Sequence, residues 1–458
     1  MHSVWAVATN TIRQVLRLKI AVVFIILLAI LLPVMGAATT GDSTIKGRLQ
    51  TFISYGLSLT SLLLSLLTIV TSVYSLTSDL EQKQIYTVLT KPIRRFQLLV
   101  GKLLGVVLLN VVLLALFSVT VYMVTVYTPK FFNVSEGELY QLKNEFFTAR
   151  ASLTPAQPDV TKEASDTYER LEKNGQLDEI FQGVTSRKQI IEELTNRLQL
   201  EKRAAAPGHD LIWEFNNVKP LDPNQNLFIK FKYDVSVNPP NLQVYSEWRI
   251  GDIRQIPTGK IETPIYSFER KDLIRTSYEI EVPADSVADD GYLAVGFLNP
   301  AQFNNTVVIF PPEDGLEVLY KADTFMANFI RAVLLILVRL IFLACLGILA
   351  SSFLSFPVAV LFCLVILFTG TVSGFIIESF DSLGGNTGKI YSYTIKPMMY
   401  LLPQFDKYNP SEFLVSARLL SWSLLAEVAA IMICIKAVLL LILALVIFNF
   451  REIARVIV

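Results

Sequence analysis

Residues 340–377 read LIFLACLGILASSFLSFPVAVLFCLVILFTGTVSGFII and contain no charged side chain. A bilayer core of about 30 Å needs about 20 apolar residues in helical form, so this run is too long for one crossing. Ser355 and Pro357 interrupt the run, and both residue types favour a break between helices. We therefore predict two membrane helices, over residues 338–354 and 357–376, joined by a tight turn.

Three further runs lack charged residues, at 20–41, 49–78 and 103–129. Together with the two predicted helices these make five candidate spans, and a sixth apolar stretch, 430–450, has Lys436 as its one charged residue. The whole chain is 52% hydrophobic and 17% charged, with a mean hydropathy of +0.48. The 40 basic residues cancel the 40 acidic ones, which argues against a nucleic-acid binder and against an acidic disordered chain. These features predict a mainly α-helical polytopic membrane protein with six transmembrane helices.

A polar insert at 128–324 separates the third and fourth spans and carries most of the charge. Its first part, 128–207, shows helical patterns at 135–150, 159–174 and 186–203, typical of a helical hairpin. Its second part, 208–324, shows short runs of alternating polarity with turn residues between them. These runs lie at 227–237, 244–250, 276–282, 292–298, 306–310 and 316–320. We predict an α+β insert in which an antiparallel β-sandwich follows the helices.

Basic residues near the spans predict the orientation. The loop between spans two and three has the largest cluster, namely Lys83, Lys91, Arg94, Arg95 and Lys102. This cluster places both termini in the cytoplasm (N-in, C-in) and the insert at 128–324 outside a cytoplasmic membrane, with units at 1–127, 128–324 and 325–458. Residues 4–16 form an apolar stripe typical of an interfacial helix. A cleaved signal peptide ending near Gly36 is the alternative for the first span.

Residues 79–102 read DLEQKQIYTVLTKPIRRFQLLVGK and form the most informative connection between spans. Ile85, Val88 and Leu89 share one face of a short predicted helix, and Pro92 ends that helix because the residue before proline avoids helical angles. A compact helical knob of this kind suits docking into a groove on a soluble partner. An ordinary basic loop with a helix break is the alternative interpretation.

The order of residues in this connection resembles the coupling-helix region of the permeases of ABC-2 type ABC transporters. The resemblance rests on Glu81, then the run from Thr87 to Ile93, then Arg95 and the Gly101-Lys102 pair. It extends to the six-span plan, to the turn at 354–358, to residues 400–405 and to the closing Phe450-Arg451-Glu452. The chain departs from the family at Gln84-Ile85, where Gly-Thr is common, and its long insert is absent from the simplest members.

The resemblance implies a permease subunit that pairs with a second permease, identical or different, and with two ATPase subunits. Residues implied to dock the ATPase are Glu81, Lys83, Gln84, Tyr86, Leu89, Lys91, Pro92 and Arg95. Gly101-Lys102 is not a P-loop, because no glycine lies five residues earlier and Leu103 follows the lysine. We therefore expect no enzyme activity and no cofactor in this chain, with ATP and Mg²⁺ bound by the partner subunit.

Charged residues close to the spans are candidates for a transport pathway, since burying an unpaired charge is costly. Arg339 and Lys436 are predicted in the outer third of the membrane, where snorkelling to lipid headgroups is the main interpretation. The functional alternative is that Arg331, Arg339 and Lys436 line an outer vestibule. Residues 326–338 are expected to form an interfacial helix before the fourth span. The connection at 378–420 is expected to be either a partly re-entrant hairpin or an ordinary structured loop.

The insert shows no catalytic pattern and no metal site. Cys345, Cys363 and Cys434 lie in apolar runs without metal-binding spacing, and two histidines provide little for a metal centre. Asp289, Asp290 and Asp314 lie in turns, where calcium is a minor alternative to backbone bonding. Trp213, Trp248 and Tyr245 are expected in the core, with a carbohydrate platform as the alternative. The helical hairpin is a candidate contact for an extracytoplasmic partner.

Three functions follow as hypotheses. The first is an ABC-2 export permease that couples ATP hydrolysis by a separate subunit to translocation across the membrane. The second is a membrane-anchored protein whose outer domain binds or senses a ligand such as a glycan. The third, between these, is an ABC component that transmits mechanical change without transport. Membrane lipids are partners in each case, and nucleic acid in none.

Overall fold

A computed structural model of the chain describes residues 2–39, 44–81, 94–132, 134–181, 187–222, 225–257, 259–312, 314–381, 391 and 393–450. Two compact units are present. One unit, here called the membrane unit, combines Met1–Ala149 with Thr324–Val458. The other, here called the insert unit, is Arg150–Asp323. We expected the insert to begin at residue 128. Residues 128–149 instead group with the membrane unit, in whose core Leu142 and Phe146 are buried.

The helices follow one another along the chain as α1 His2–Leu16, α2 Lys19–Ala38, α3 Ile45–Glu81, α4 Arg95–Phe131, α5 Glu136–Gln141, α6 Thr161–Lys173, α7 Leu177–Ile180, α8 Arg187–Glu201, α9 Phe325–Phe353, α10 Phe356–Asp381, α11 Ile395–Leu401, α12 Pro410–Val415, α13 Trp422–Ala429 and α14 Val438–Phe450. Wider π-helical turns at Leu142–Phe146 and Ala430–Ala437 extend α5 and join α13 to α14.

Six helices in the described residues are long and apolar enough to cross a membrane. They are Ala21–Ala38, Ile45–Leu80, Arg95–Phe131, Phe325–Phe353, Phe356–Ile377 and Trp422–Phe450. This confirms the predicted number of spans and the division of residues 340–377 into two helices. Residues 326–338 are helical as expected, but they are continuous with α9 and do not form a separate helix.

The centre of the membrane unit is the contact between α3 and α9. Within this unit α3 carries seven small hydroxyl residues that are all buried: Thr60, Ser65, Thr68, Thr71, Ser72, Ser75 and Thr77. Each of these seven hydroxyls donates to a carbonyl of α3 itself, three or four residues earlier. Because the side chains are short, the helices approach closely, and a Cβ added at Gly347 would lie 2.8 Å from Ser72 Cβ.

The first helix packs directly on α4 through two glycines one turn apart. A Cβ added at Gly101 would lie 2.7 Å from Val7 Cβ, and one added at Gly105 would lie 2.7 Å from the Ala8 carbonyl oxygen. Ala8 is fully buried, whereas Trp5 on the other side of α1 is 57% exposed. The Gly-x-x-x-Gly spacing therefore holds α1 against the end of a span.

The described residues of the insert unit form eleven strands, counting the two that extend across its boundaries. They are β1 Thr148–Leu153, β2 Ala204–Ala205, β3 Asp210–Phe215, β4 Asn226–Phe231, β5 Asp234–Val235, β6 Gln243–Gly251, β7 Tyr266–Leu273, β8 Tyr278–Pro283, β9 Leu293–Leu298, β10 Val308–Ile309 and β11 Leu316–Thr324. Short 3-10 turns lie at Ile253–Gln255 and Ala284–Ser286.

Two four-stranded sheets, β1-β11-β4-β8 and β3-β9-β6-β7, and a small sheet, β2-β10-β5, form the β-sheet region. In the second sheet Trp248 is opposite Phe297 of β9 and Phe268 of β7, and the strands are antiparallel. Phe231 of the first sheet lies 4.5 Å from Trp248 between ring centroids. The two large sheets therefore share one core, in which both side chains are fully buried.

The helical part of the insert unit has a smaller core of its own. Tyr168 and Ala164 of α6 pack with Ile190 and Leu194 of α8, and Phe181 closes the cluster. These helices match the expected patterns at 159–174 and 186–203. The expected helix at 135–150 is shorter, because the chain turns after Phe146 and enters β1 at Thr148.

Candidate functional site

Most residues of the predicted ATPase-docking segment lie outside the described residues. These are Lys83, Gln84, Tyr86, Leu89, Lys91 and Pro92. Glu81 is the last residue of α3. The helices on either side of the segment are described, and they show what holds its two ends.

Asp79 and Lys102 form an ion pair where α3 ends and α4 begins. The distance from Lys102 Nζ to Asp79 Oδ2 is 2.5 Å, and the two side chains are 2% and 10% exposed. Lys102 Nζ also donates to the Ser75 carbonyl oxygen. The pair is thus buried, and its polar atoms have protein partners. The sequence predicts Lys102 in the loop between spans two and three.

The first helix joins the same cluster. Gln14 Nε2 donates to Asp79 Oδ1 and to Ser78 Oγ, both at 3.3 Å. We call Gln14, Ser75, Ser78, Asp79 and Lys102 the Asp79 cluster. It connects α1, α3 and α4 at the point where the chain leaves for the docking segment and returns from it.

Arg95 connects the returning chain to the last helix. Its Nη1 donates to the carbonyl oxygens of Phe448 at 3.0 Å and Asn449 at 2.8 Å. These carbonyls lie at the C-terminal end of α14, where helical carbonyls lack partners in their own helix and a cation is favourable. Arg95, predicted as a docking residue, is therefore engaged inside the membrane unit.

Arg331, one of the three predicted vestibule cations, holds the connection between α12 and α13 in place. It is 4% exposed, its Nη1 donates to the Leu420 carbonyl oxygen at 3.1 Å, and its guanidinium lies 5.0 Å from the Trp422 ring centroid. Asn328, one turn earlier, bonds Arg418 and Leu420 in the same connection. Arg331 thus fixes the start of α13.

Lys436 lies at the middle of the span Trp422–Phe450, 14 residues from each end. Its Nζ donates to the carbonyl oxygens of Tyr400 at 3.1 Å and Leu402 at 2.8 Å. The C-terminal end of α11 therefore lies beside the middle of the last span, as a partly re-entrant connection would. At about 1.5 Å per residue, each end of the helix is about 21 Å from Lys436 along the helix axis.

Arg339 is also 14 residues from each end of its helix, α9. Its guanidinium stacks on Phe405 at 4.4 Å from the ring centroid, and its Nη2 lies 3.2 Å from Thr371 Oγ1. It lines a cavity of about 490 Å³, whereas Arg331 and Lys436 are not among the lining residues. The structure therefore separates the three cations, and only Arg339 is next to this cavity.

In the insert unit, the aromatic residues considered as a carbohydrate platform are not together. Trp248 is fully buried and donates to Ser246 Oγ, and Trp213 packs edge-on against Phe310 at 4.9 Å. Tyr245 is 37% exposed and stacks on Phe303 at 4.9 Å, whereas Trp213 is partly buried. Core packing is thus the role of the two tryptophans.

Two of the three turn aspartates form ion pairs, Asp290 with Arg254 and Asp314 with Lys232. Arg254 contacts both Asp252 and Asp290, at 2.8 Å and 2.9 Å, and lies 3.8 Å over the Tyr292 ring. Hydrogen bonds from Arg254 lower the pKa of Asp290, and the two carboxylates raise the pKa of Arg254. Among the described residues, no group of three or more His, Cys, Asp or Glu side chains is arranged to bind a metal ion.

The sequence interpretation missed the two glycines under α1 and a second glycine pair in α10. A Cβ added at Gly370 would lie 2.6 Å from the Pro403 carbonyl oxygen, and one added at Gly374 would lie 3.1 Å from Asp406 Cγ. Both pairs have the Gly-x-x-x-Gly spacing within apolar runs, and this spacing could have predicted the close contacts from the sequence. In α10 the glycines make room for the connection at 402–409.

Comparisons with known protein families, with curated proteins and with solved structures gave no match.

Proposed function

We propose that this chain is the permease subunit of an ABC-2 type exporter, coupling ATP hydrolysis on a separate subunit to movement of a substrate across the cytoplasmic membrane. The observation that carries the proposal is the 79–102 connection, whose residue order resembles a coupling helix and whose two ends meet at a buried ion pair. In the proposed orientation both termini and this connection are cytoplasmic, and the insert unit is extracytoplasmic.

The contacts around the connection support a role in transmitting force. The Asp79 cluster ties its ends to α1, α3 and α4, and Arg95 ties it to α14. A displacement of the connection by a closing ATPase would thus act on four helices together. A buried ion pair is suited to this task because its geometry resists separation of the two helices.

The proposal assigns docking to Glu81, Leu89 and Pro92, with Lys83, Gln84, Tyr86 and Lys91 around them. ATP and Mg²⁺ would bind the ATPase, and a second permease subunit would complete the channel. The substrate class is left open by the connection itself, because these residues contact the ATPase and not the cargo.

Copurification with a co-expressed ABC ATPase tests the proposal. We expect the joint replacement of Glu81, Leu89 and Pro92 by alanine to abolish copurification and stimulated ATP hydrolysis. A matched triple replacement of Tyr393, Met398 and Lys407, exposed residues of the connection between α10 and α13, should leave both unchanged. Normal assembly of the first variant would refute the proposal.

The second candidate is a membrane-anchored binding or sensing protein. The observation in its favour is an open cleft of about 720 Å³ in the insert unit, bordered by the Tyr245 and Phe303 stack and by Lys271. Proteoliposomes containing the chain and its ATPase separate the two candidates, since ATP-dependent movement of a labelled amphiphile is expected only of an exporter. ATP turnover without any movement would favour mechanical transmission.

A further inference from the structure

The cavity next to Arg339 lies within the membrane unit. Its walls come from α3, α9 and α10, and the connection at 405–412 closes one side. A volume of about 490 Å³ is within the usual range for small-ligand sites. Irregular backbone at the level of a helix midpoint is tolerated where it is buried in protein or lines a cavity, and this connection does both.

Arg339 borders that cavity without a direct ion-pair partner among the described residues. Among the described residues no carboxylate lies within ion-pair distance of its guanidinium, and its buried Nε donates to no acceptor. Its neighbours are the neutral Thr371 hydroxyl and the Phe405 ring. A cation held among apolar spans in this way lacks a counter-charge, and its Nε lacks a hydrogen-bond acceptor, although Nη2 donates to the Thr371 hydroxyl.

Asp406, one of the two acidic side chains of the lining, is hydrogen-bonded to α10. Asp406 Oδ1 accepts from Ser373 Oγ at 2.9 Å, and Oδ2 accepts from the Gly374 backbone N–H. The Phe405 backbone N–H donates to the Gly370 carbonyl oxygen at 2.8 Å, which fixes the connection against α10. Glu412, the other acidic lining residue, is exposed at the start of α12. The interior of the cavity thus presents a cation, and its acidic groups are fixed or peripheral.

The remaining walls are apolar and reach the outside of the bundle. Leu57 and Leu367 are buried in the walls, whereas Leu62 of α3 is 42% exposed and Phe368 of α10 is 58% exposed. These two exposed side chains face the surroundings of the membrane unit, so the cavity continues into an apolar surface between α3 and α10. A ligand that fits must combine an anionic group with an apolar chain.

We propose that this cavity binds a phosphate-bearing lipid, with the phosphate on the Arg339 guanidinium and the acyl chains leaving between Leu62 and Phe368. Phosphate is favoured among anions because the planar guanidinium offers several donors, including the free Nε–H, to one group of oxygens. Binding is a property of this chain alone. Only the interpretation of the lipid as cargo rests on the proposed permease function.

Native mass spectrometry of the purified full chain in a neutral detergent tests the inference, with dioleoyl phosphatidic acid as the probe. We expect binding that is at least about tenfold tighter than that of dioleoylglycerol, and a loss of about tenfold in affinity in Arg339→Gln, as expected when a charged hydrogen bond is removed. Lys407→Gln, which removes a nearby exposed cation outside the lining, should bind like the unmodified chain.

A second variant covers the case in which Arg339→Gln does not fold. Leu62→Trp keeps the charge and narrows the exit, so we expect weaker lipid binding with an unchanged melting temperature. Equal binding of phosphatidic acid by the unmodified chain and both variants, or equal binding of dioleoylglycerol, would overturn the inference. So would displacement by equimolar inorganic phosphate, which would indicate a small-anion site. Because no ATPase is present, a negative result leaves the proposed function to its own test.

Discussion

Removing the charge of Asp79 or of Lys102 tests quantitatively how much their ion pair stabilises the membrane unit. Removing one partner of a buried pair typically costs about 3–5 kcal/mol, because the remaining charge is left without compensation. We expect about 3 kcal/mol for Asp79→Asn, where Lys102 keeps the Ser75 carbonyl, and about 4 kcal/mol for Lys102→Met, where Asp79 keeps only the Gln14 amide.

The double variant Asp79→Asn, Lys102→Met contains neither charge, so we expect it to regain most of the loss. The resulting coupling energy is at least about 2 kcal/mol, measured as equilibrium unfolding in mixed micelles with increasing dodecyl sulfate. The exposed pair Lys232 and Asp314, 35% and 52% exposed, is a matched control with an expected coupling below about 1 kcal/mol. Single-variant losses that add to within about 0.5 kcal/mol would refute the buried pair.

Three further predictions concern other parts of the chain. Gly105→Leu should detach α1 and expose it to protease, whereas Gly137→Leu, with open space around the glycine, should not. Trp248→Ala should destabilise the insert unit by about 3–5 kcal/mol in thermal unfolding, since the side chain is fully buried. The pKa of Asp290 is lowered from 3.8 by Arg254, so its contribution to stability is complete above pH 3.8 and disappears as the pH falls through the lowered value. Melting temperatures of the unmodified chain and Asp290→Asn should therefore converge in acid, and a constant difference would contradict this.

The spans were predictable because the bilayer imposes a simple rule on charge spacing. The runs at 49–78 and 103–129 end beside Asp79 and Lys102, and sequence alone suggested that both charges were in a loop. Opposite charges at matching ends of two adjacent antiparallel spans are the signal that would have suggested a pair. The pairing itself depends on how α3 and α4 are rotated, which periodicity in a nearly uniform apolar run does not specify.

In the insert unit each predicted run contains a strand, with 227–237 divided into β4 and β5, but β1, β2 and β3 were not predicted, and neither was β7. Its inward positions are Tyr266, Phe268, Arg270 and Asp272, so two charged residues occupy the face that should be apolar. Arg270 and Asp272 pair with each other at 2.8 Å, which makes burial of Asp272 tolerable. Alternation rules assume an apolar inner face, and here a local ion pair replaces it.

The seven buried hydroxyl residues of α3 have a consequence for motion. Because each of the seven donates to its own helix, sliding of α9 along α3 breaks none of these bonds. The short side chains let the two helices approach closely, as at Ser72 and Gly347, while their hydroxyls donate within α3 and not to α9. The Asp79 cluster at one end of α3 joins it to α1 and α4, so a pull at that end would move α3 along α9 without breaking a bond of these hydroxyls.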